Sequence, residues 1–495
     1  MQPPVAHDRY RSLYPCFRDR FLLCEASGEF FHSPTLAVPR APSMPVCAAA
    51  RRSLARELPK HPQAGAMTDQ IYDFLDGLSW QELNANTQER AKMSLLDLIG
   101  VGFSGRSTDL SRIITAHAQT SFGGDRPLLF TGGTASAPGV ALAGGMTIDA
   151  IDAHDGWNPA KGHVGCGLLP ALYALSGAPS GADFLKTFVA GYELGTRLSV
   201  TLHDTAPDYH TSGAWMAVAI ALAGGHMAGL SRDQLAHAAG IAEYHGPRSQ
   251  MMRCIDHPTM VKDGSGWGAM AGVSAVELAH AGFTGAPALT LSGPRWEDLG
   301  QCWHMDEQYY KNYPVCRWAQ PPVEACLTLQ REHGFASTDI AQIHITTFHE
   351  STRLATFAPQ NTEEAQYSTA YPVALALAHG RLGPAEVQGE MLFDAEVLRL
   401  AAALSMGEDD RANALFPHRR IAKAQIKLHD GTELESNWHD AVWDPLTPAT
   451  PHEIADKFRD YAAPVIGTKA SEQIIDTVQT LDDRPASDLF ALIAG

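Results

Sequence analysis

The sequence predicts a mainly α-helical protein, in which a large all-α domain carries a smaller α+β lid. Three observations support this fold class. Between residues 67 and 303 apolar residues recur at helical spacing, and Ala and Gly are dense enough for helices to pack closely. Between residues 304 and 444 segments with the two-residue period of strands are mixed with helical ones. From about Thr450 the helical pattern returns.

The helices of the first region are predicted from their caps and apolar faces. Thr68 is the expected cap of a first helix, because Ile71 and Phe74 follow it at helical spacing. Thr87 is the expected cap of the next helix. Further helices are predicted around residues 184–192, 217–222, 235–241 and 268–281.

Residues 100–105 read Gly-Val-Gly-Phe-Ser-Gly and fit the glycine pattern of a dinucleotide-binding loop. Such a loop needs a strand before it. Residues 90–99 have the periodicity of a helix instead. We therefore predict a helix at this position and no dinucleotide site.

The lid is predicted from short segments between residues 304 and 444. Ile343, Ile345 and Thr347 alternate with the residues between them, which is typical of a strand. Residues 421–436 alternate around Asp430-Gly431, a turn sequence that favours a hairpin. Helices are expected at residues 322–332 and 368–379.

Composition limits the classes of partner. A chain of 495 residues is long enough for two domains and additional segments. Its net charge of -18 argues against nucleic acid or an anionic membrane as partner. No apolar run approaches the roughly 18 residues of a membrane span. The eight cysteines form no C-x-x-C pair, so we expect reduced, mostly buried thiols in a cytoplasmic protein.

Residues 1–66 differ from the rest of the chain. They contain nine Lys and Arg against five Asp and Glu, in a chain that is otherwise acidic. The segment is rich in Pro and has no sustained period, and its acidic residues are unlike those of a transit peptide. We expect a disordered N-terminal extension.

The densest group of polar residues lies in one glycine-rich stretch. Residues 149–163 contain Asp149, Asp152, His154, Asp155, Lys161 and His163. Such groups are costly to place together unless they bind one another or a substrate. Glycines and a proline interrupt any regular element, so the stretch is predicted to be a loop between helices. The ligand types of its first four members would also suit a metal ion, which we keep as a minority alternative.

Four further segments hold clustered polar residues, each with a simpler explanation beside the functional one. His210 precedes a helix and can be an ordinary surface histidine. Lys262 is followed by Asp263 and can form a solvated pair with it. Lys311 is followed by Arg317, a cation suited to a carboxylate that can equally stack on its neighbouring tryptophan. Tyr371 can be a core tyrosine.

The polar loop resembles the signature of the MmgE/PrpD family, which includes 2-methylcitrate dehydratase, cis-aconitate decarboxylase and iminodisuccinate epimerase. In that signature an Asp-x-Asp-Asp loop is followed by a Pro and by a catalytic His with a Pro seven residues later. Asp152 and Asp155 match the outer acids, Pro159 the first proline, His163 the catalytic histidine and Pro170 the last proline.

The loop also departs from the family pattern. His154 replaces the middle acid, Gly156 stands where some members have Thr, and Asn158 where some have His. One residue is inserted around Lys161-Gly162. Lys262 is followed by Asp-Gly-Ser-Gly rather than by the His-Pro-Gly loop of relatives. These departures leave the substrate open.

The resemblance implies a set of site residues and a fold. The catalytic residues would be His163, His210, Asp152 and Asp155, and the substrate-binding residues Lys262, Lys311, Arg317, His154 and Tyr371. Asp152 or Asp155 would hold the tautomer of His163. Residues 445–495 would rejoin the helical domain of residues 67–303, and residues 304–444 would form the lid.

The implied activity is that of a lyase that uses neither cofactor nor metal and acts on a small di- or tricarboxylate. Dehydration of the 2-methylcitrate type is the leading hypothesis. An epimerase or racemase and a decarboxylase need the same parts, and a non-catalytic carboxylate-binding protein is the alternative of another class. We also expect a homodimer. Lys262 and Lys311 lie in different predicted domains, so a substrate bound by both would lie between helical domain and lid.

Overall fold

The computed structural model describes residues 64–495, with side chains from Thr68 onward. Residues 1–63 of the predicted disordered extension lie outside the described residues. The first half of the described chain is helical, and a two-stranded antiparallel ribbon, β1 (Arg126–Pro127) with β2 (Thr134–Ala135), is inserted in it. Its helices are α1 (Ala64–Gly77), α2 (Ala85–Gly105), α3 (Asp109–Ser121), α4 (Ala137–Asp149), α5 (Gly165–Leu175), α6 (Gly181–Thr205), α7 (Gly213–Met227), α8 (Arg232–His245), α9 (Met251–Asp256) and α10 (Ser265–His280).

Two predicted helix starts are wrong by a few residues. Helix α1 begins at Ala64, four residues before the expected cap Thr68. The cap of α2 is Asn84, whose side-chain oxygen accepts the backbone N–H of Thr87 at 2.9 Å, so Thr87 lies within the first turn. Asn caps helices as well as Thr does, which the apolar spacing alone could not reveal. Helix α2 continues through Gly105, which confirms that no strand precedes the glycine pattern.

Small residues allow the central helices to pack at very short range. A Cβ on Gly145 of α4 would lie 2.7 Å from the Cα of Gly266 in α10. Only glycine is tolerated at such an approach. The polar loop directly follows α4, and α10 follows Lys262, so this close packing also fixes two parts of the candidate site relative to each other.

The second half mixes helices with a small sheet. The predicted strand at Ile343 is β3, and Ile343 and Ile345 are buried as its alternation requires. The elements are α11 (Gln320–His333), β3 (Ile340–Thr347), α12 (His349–Thr352), α13 (Thr362–Gln366), α14 (Ala370–His379), α15 (Ala395–Ala402), β4 (Leu404–Glu408), α16 (Asp410–Leu415), β5 (Ile421–Leu428), β6 (Glu433–Glu435) and β7 (His439–Asp440).

The sheet has the strand order β4-β3-β5-β6, and β7 pairs with β5. Strands β3 and β4 are parallel, with Ile343 opposite Leu404, and the other pairs are antiparallel. The predicted hairpin is confirmed: β5 and β6 pair across a turn at Gly431, which has a φ of 93°. A mainly α fold with a smaller α+β part is therefore confirmed.

The last three helices are α17 (Pro451–Ile466), α18 (Thr468–Gln479) and α19 (Ala486–Ile493). Thr450 caps α17 in a reciprocal pair of hydrogen bonds with Glu453. Lys457 of α17 reaches the Asp97 carboxylate of α2 and the carbonyl oxygen of Ala153 in the polar loop, both at 2.6 Å. Helix α17 thus supports the loop from behind. The domain boundaries themselves stay a prediction.

None of the helices from Ala64 onward is long and apolar enough to cross a membrane. Cys166, Cys254, Cys316 and Cys326 are free, buried thiols, as expected.

Candidate active site

The polar loop between α4 and α5 is held by backbone hydrogen bonds. Gly156 and Tyr309 exchange two of them, at 3.1 and 2.8 Å, and Trp157 donates one to Gly162 at 3.1 Å. A Cβ at Gly156 would lie 2.5 Å from the Tyr309 hydroxyl and 2.7 Å from Nδ1 of His163. The glycine therefore lets a tyrosine approach the predicted catalytic histidine, where a threonine would collide with both.

Lys311 and Asp152 form a buried ion pair. The ammonium donates to the Asp152 carboxylate and also contacts the Asp152 carbonyl oxygen at 3.3 Å. Burial alone would raise the pKa of Asp152, but Lys311, with His163 and Lys262 nearby, holds that pKa well below its usual range. Burial likewise opposes the charge of Lys311, but Asp152 keeps the pKa of Lys311 above its ordinary value. Both groups are therefore ionised at neutral pH.

Lys262 is a buried cation that pairs with no carboxylate in the described part of the chain. Its side chain is 1% exposed and donates to the neutral side-chain oxygen of Gln366. Its ammonium lies 4.9 Å from the centre of the Tyr367 ring. Within residues 68–495 no Asp or Glu lies within ion-pair distance of it. A buried charge is costly unless it is paired, so Lys262 is suited to an external anion.

The backbone at Lys262 supports this interpretation. Its φ of 48° places a non-glycine residue in the left-handed region, directly before α10. Strain of this kind costs of order 1–3 kcal/mol and persists where a site needs it.

His163 has one bound and one unbound ring nitrogen. Nδ1 lies 2.5 Å from the carbonyl oxygen of Asp155, which can only accept, so Nδ1 carries a proton. No hydrogen-bond partner for Nε2 is found within residues 68–495. The group that orients the ring is thus a backbone carbonyl, and not a carboxylate as the sequence suggested. Burial, followed by Lys311 and His154, lowers the pKa of His163 well below its usual value, so Nε2 is an unprotonated base in the free protein.

His154 packs edge-on against His163, with ring centroids 4.4 Å apart. Its Nε2 lies 3.3 Å from the carboxylate of Asp149. Asp155 accepts a hydrogen bond from the hydroxyl of Tyr192 at 2.6 Å, and its other oxygen has no partner in the described part of the chain. Burial, with a contribution from Asp97, raises the pKa of Asp155 to about 7.

Asp155 gives a prediction for stability. An aspartate in the unfolded chain has a pKa of about 3.9, so the folded state binds the Asp155 proton more tightly. This contribution to stability is fully present below about pH 4 and is lost as the pH rises towards 7. The variant Asp155→Asn cannot ionise, so its melting temperature should fall less than that of the wild type between pH 5 and pH 8. Calorimetry at the two pH values tests this, and equal falls in both proteins would contradict a protonated Asp155.

A second buried acid supports the loop from the side of α7. The hydroxyl of Ser212 accepts the backbone N–H of His163 at 2.9 Å and donates to the carboxyl group of Asp263. Burial, followed by the charge of Asp149, raises the pKa of Asp263 well above its usual value. The pair Lys262-Asp263 is therefore not the solvated ion pair of the simpler explanation.

The structure gives three predicted site residues other partners. The backbone of His210 bonds to His203 at 3.3 Å. The guanidinium of Arg317 bonds to Asp444 at 3.1 Å and to three further oxygens, and it lies 4.4 Å from the Tyr309 ring centre. The hydroxyl of Tyr371 donates to the carbonyl of Glu386 at 2.9 Å. The roles of these three residues in catalysis or binding stay predictions. Most N–H donors of Arg317 are already bonded to oxygens of the protein itself.

Sequence reasoning missed three residues at the site. Gln366 accepts from Lys262 and from the backbone N–H of Asp152 at 2.9 Å, and thereby joins the two halves of the cluster. Tyr309 borders His163, with ring centroids 6.3 Å apart. Arg420 lies 5.5 Å from the same Tyr309 ring. Gln366 stands in a polar segment that the sequence does single out, whereas nothing in the sequence marks Tyr309 or Arg420.

The assembled site places two lysines and a histidine around one carboxylate. Lys262, Lys311 and His163 are brought together from three distant parts of the chain, with Asp152 between them. Among residues 68–495 no group of three or more His, Cys, Asp or Glu has a geometry that could hold a metal ion. The arrangement can bind carboxylates and transfer a proton next to them.

Comparison with known proteins gives the class of protein. The MmgE/PrpD N-terminal domain matches residues 69–297 and the MmgE/PrpD C-terminal domain matches residues 313–483. The chain therefore belongs to the MmgE/PrpD family, as the polar loop indicated.

Individual relatives are more distant. The chain is 23% identical to the cis-aconitate decarboxylase of Mus musculus, over 87% of this chain and 94% of the relative. It is 23% identical to that of Aspergillus terreus, over 84% and 93%, and 22% identical to that of Homo sapiens, over 87% and 95%.

Proposed function

We propose that this protein is a lyase that decarboxylates a small, unsaturated polycarboxylate of the cis-aconitate type. The observation that carries the proposal is Lys262, a buried ammonium that pairs with no carboxylate among the described residues. It lies beside the Lys311–Asp152 pair and beside His163, whose Nε2 has no bond within the same part of the chain. The names of the relatives support decarboxylation over the dehydration that the sequence alone favours.

In this mechanism Lys262 and Lys311 bind two carboxylates of the substrate. One carboxylate then leaves as CO2. The electron pair of the broken C–C bond remains on the substrate carbon. Protonated Nε2 of His163 then donates a proton to the resulting carbanion and becomes neutral. Solvent restores the proton before the next turnover. The cations stabilise the charge of the transition state, since an ammonium in a dry site acts far more strongly than in water.

Decarboxylation needs one proton donor, whereas dehydration needs a base for the α-proton and an acid for the leaving hydroxyl. His163 is the predicted catalytic imidazole beside the Lys–Asp pair, while the backbone N–H of His210 donates to Nε2 of His203. Dehydration is the second candidate, and one observation favours it: Nδ1 of His210 is buried and has no partner among the described residues. That nitrogen would be the acid for a leaving hydroxyl.

The experiment that tests the proposal compares three reactions with the same preparation. Purified protein is given cis-aconitate, 2-methylcitrate and a saturated dicarboxylate in D2O, and the products are followed by NMR with release of CO2. We expect CO2 and deuterium incorporation with the unsaturated substrate. Loss of water without CO2 would favour the dehydratase, and α-deuteration alone the epimerase. Binding without any of the three would indicate a carboxylate-binding protein.

The mechanism also predicts that binding takes up protons. The pKa of His163 is far below its usual value in the free protein, and a polyanion beside it would raise that pKa. Asp155, with a pKa of about 7, would take up a further fraction. Calorimetric titration of tricarballylate at pH 7 in buffers of different ionisation enthalpy measures the number of protons. His163→Gln should lose the larger part and Asp155→Asn the smaller; no uptake in the wild type would mean that His163 stays a neutral base.

The homodimer and the cytoplasmic location stay predictions. Size-exclusion chromatography with light scattering tests the first.

A further inference from the structure

We propose that Lys161 and Arg420 form a second anion-binding subsite, which takes the third carboxylate of a tricarboxylate substrate. The identity of this ligand rests on the proposed function, while the location rests on two cations that form no ion pair with any acid between residues 68 and 495. Lys161 belongs to the polar loop, at the position where the chain carries its extra residue. Arg420 lies directly before β5.

Arg420 is a buried guanidinium that the protein uses only in part. It is 4% exposed, and its Nη2 donates to the carbonyl oxygen of Asn158 at 3.2 Å. Its Nε is buried without an acceptor in the described part of the chain. Its neighbour Arg419 pairs with Asp440 at 2.6 Å, but no carboxylate within residues 68–495 pairs with Arg420. An unused buried donor on a charged group is costly, and an anion would satisfy it.

Lys161 supplies the second cation. Its ammonium lies 4.3 Å from the centre of the Tyr209 ring, and the residue is partly exposed, so the cluster is open to solvent on this side. It forms no ion pair with any described residue. Its φ of 53° is in the left-handed region, which a lysine adopts at a cost of order 1–3 kcal/mol. The loop thus holds this ammonium in place against backbone strain.

The surroundings of the two cations are positively charged. Burial, and then Arg295, Arg420 and Lys161, lower the pKa of His418. Burial also lowers the pKa of Lys161, and Arg420 acts in the same direction while Glu350 opposes it. The nearby acid Asp204 is already paired with Arg295 at 2.6 Å. Lys161, Arg420 and Arg295 thus outnumber the two nearby acids, Asp204 and Glu350, so the region keeps a net positive charge.

One aromatic ring connects this region to the catalytic histidine. The Tyr309 ring centre lies 5.5 Å from the guanidinium carbon of Arg420 and 6.3 Å from the ring centre of His163. His163 and Arg420 thus border the same aromatic ring. Lys262 and Lys311 can neutralise two carboxylates, so a subsite with two further cations matches a ligand that carries a third.

The test compares two ligands that differ by one carboxylate. Tricarballylate is propane-1,2,3-tricarboxylate, and glutarate is the same chain without the central carboxylate. Dissociation constants are measured by calorimetry for the full-length wild type, Lys161→Met and Arg420→Gln. We expect both variants to bind tricarballylate about tenfold more weakly or worse, because a charge-assisted contact is lost, and to bind glutarate within about twofold of the wild type.

Two further variants separate the subsite from the proposed function. Arg419→Gln removes an arginine that is already paired and should leave both affinities unchanged. Lys262→Met should weaken both ligands. If tricarballylate binds equally well to the wild type, Lys161→Met and Arg420→Gln while Lys262→Met weakens it, the subsite is refuted and the proposed function stands. If Lys262→Met weakens neither ligand, the proposed substrate site is wrong. Lys161 is partly exposed, so Lys161→Met should fold. This variant therefore tests the subsite even if Arg420→Gln unfolds.

Discussion

The variant His163→Ala should lose turnover by about 10²–10⁴-fold, which is the usual contribution of a general acid or base. Its Nε2 is the unbound imidazole nitrogen at the Lys–Asp cluster, and its Nδ1 is fixed by the carbonyl of Asp155 at 2.5 Å. Steady-state kinetics measures the loss, with the substrate that the NMR comparison shows to be turned over. The Michaelis constant should change little, because the carboxylates are bound by the lysines.

A structural role of His163 would give a different result. The ring packs on His154 at 4.4 Å, so its removal leaves a cavity that can lower the melting temperature. Imidazole added to the His163→Ala protein should restore part of the activity if the missing group is a proton donor. His117→Ala, which removes an exposed histidine of α3, is the matched control and should keep full activity. Full activity in His163→Ala would end the proposed mechanism.

The fold was accessible from the sequence because the periodicities are strong. The alternation at Ile343 and the turn at Gly431 are local signals, and the sheet follows them. The predicted helix starts are wrong where neighbouring residues can both act as the N-cap, as with Asn84 and Thr87 at the start of α2. The apolar pattern locates a helix but does not choose among neighbouring caps.

The candidate site was accessible only in part. Residues within the polar loop are near each other in sequence, so the spacing of Asp152 and His163 suffices to place them together. The partner of Asp152 lies 159 positions away in sequence, and only the resemblance brought Lys311 into consideration. Arg317 was assigned a carboxylate by residue type, and the structure supplies one from the protein, Asp444. Residue type predicts the chemistry a side chain can do, whereas its partner depends on the tertiary fold.

The two lysines illustrate how similar residues serve different ends. Lys311 is paired with the Asp152 carboxylate, so its charge is balanced within the protein. Lys262 has a neutral amide and an aromatic ring instead. Desolvation is a cost for both, but Lys311 shares its charge with Asp152, whereas the charge of Lys262 is shared with no carboxylate among the described residues. The free energy that Lys262 costs the folded state is recovered when an anion binds.

Lys311→Met and Lys262→Met should therefore differ in their effect on stability. Loss of Lys311 leaves the Asp152 carboxylate buried and unpaired, and removal of one partner of such a pair costs about 3–5 kcal/mol in the free energy of unfolding. Loss of Lys262 removes a charge for which the described part of the chain offers no counter-ion, so Lys262→Met should be as stable as the wild type or more so. Chemical denaturation at pH 7 measures both.

A double-mutant cycle makes the comparison sharp. Asp152→Asn alone leaves Lys311 unpaired, while Lys311→Met with Asp152→Asn removes both charges, so the double variant should lose much less than the two single losses together. Lys262→Met with Asp152→Asn should show a smaller coupling, because these side chains are joined through Gln366 rather than directly.

Lys262→Met should instead have its main effect on ligand affinity. It should weaken the binding of tricarballylate by about 10–100-fold, the equivalent of a charge-assisted hydrogen bond. A large loss of stability in Lys262→Met with unchanged affinity would show that this lysine is structural and that the anion binds elsewhere.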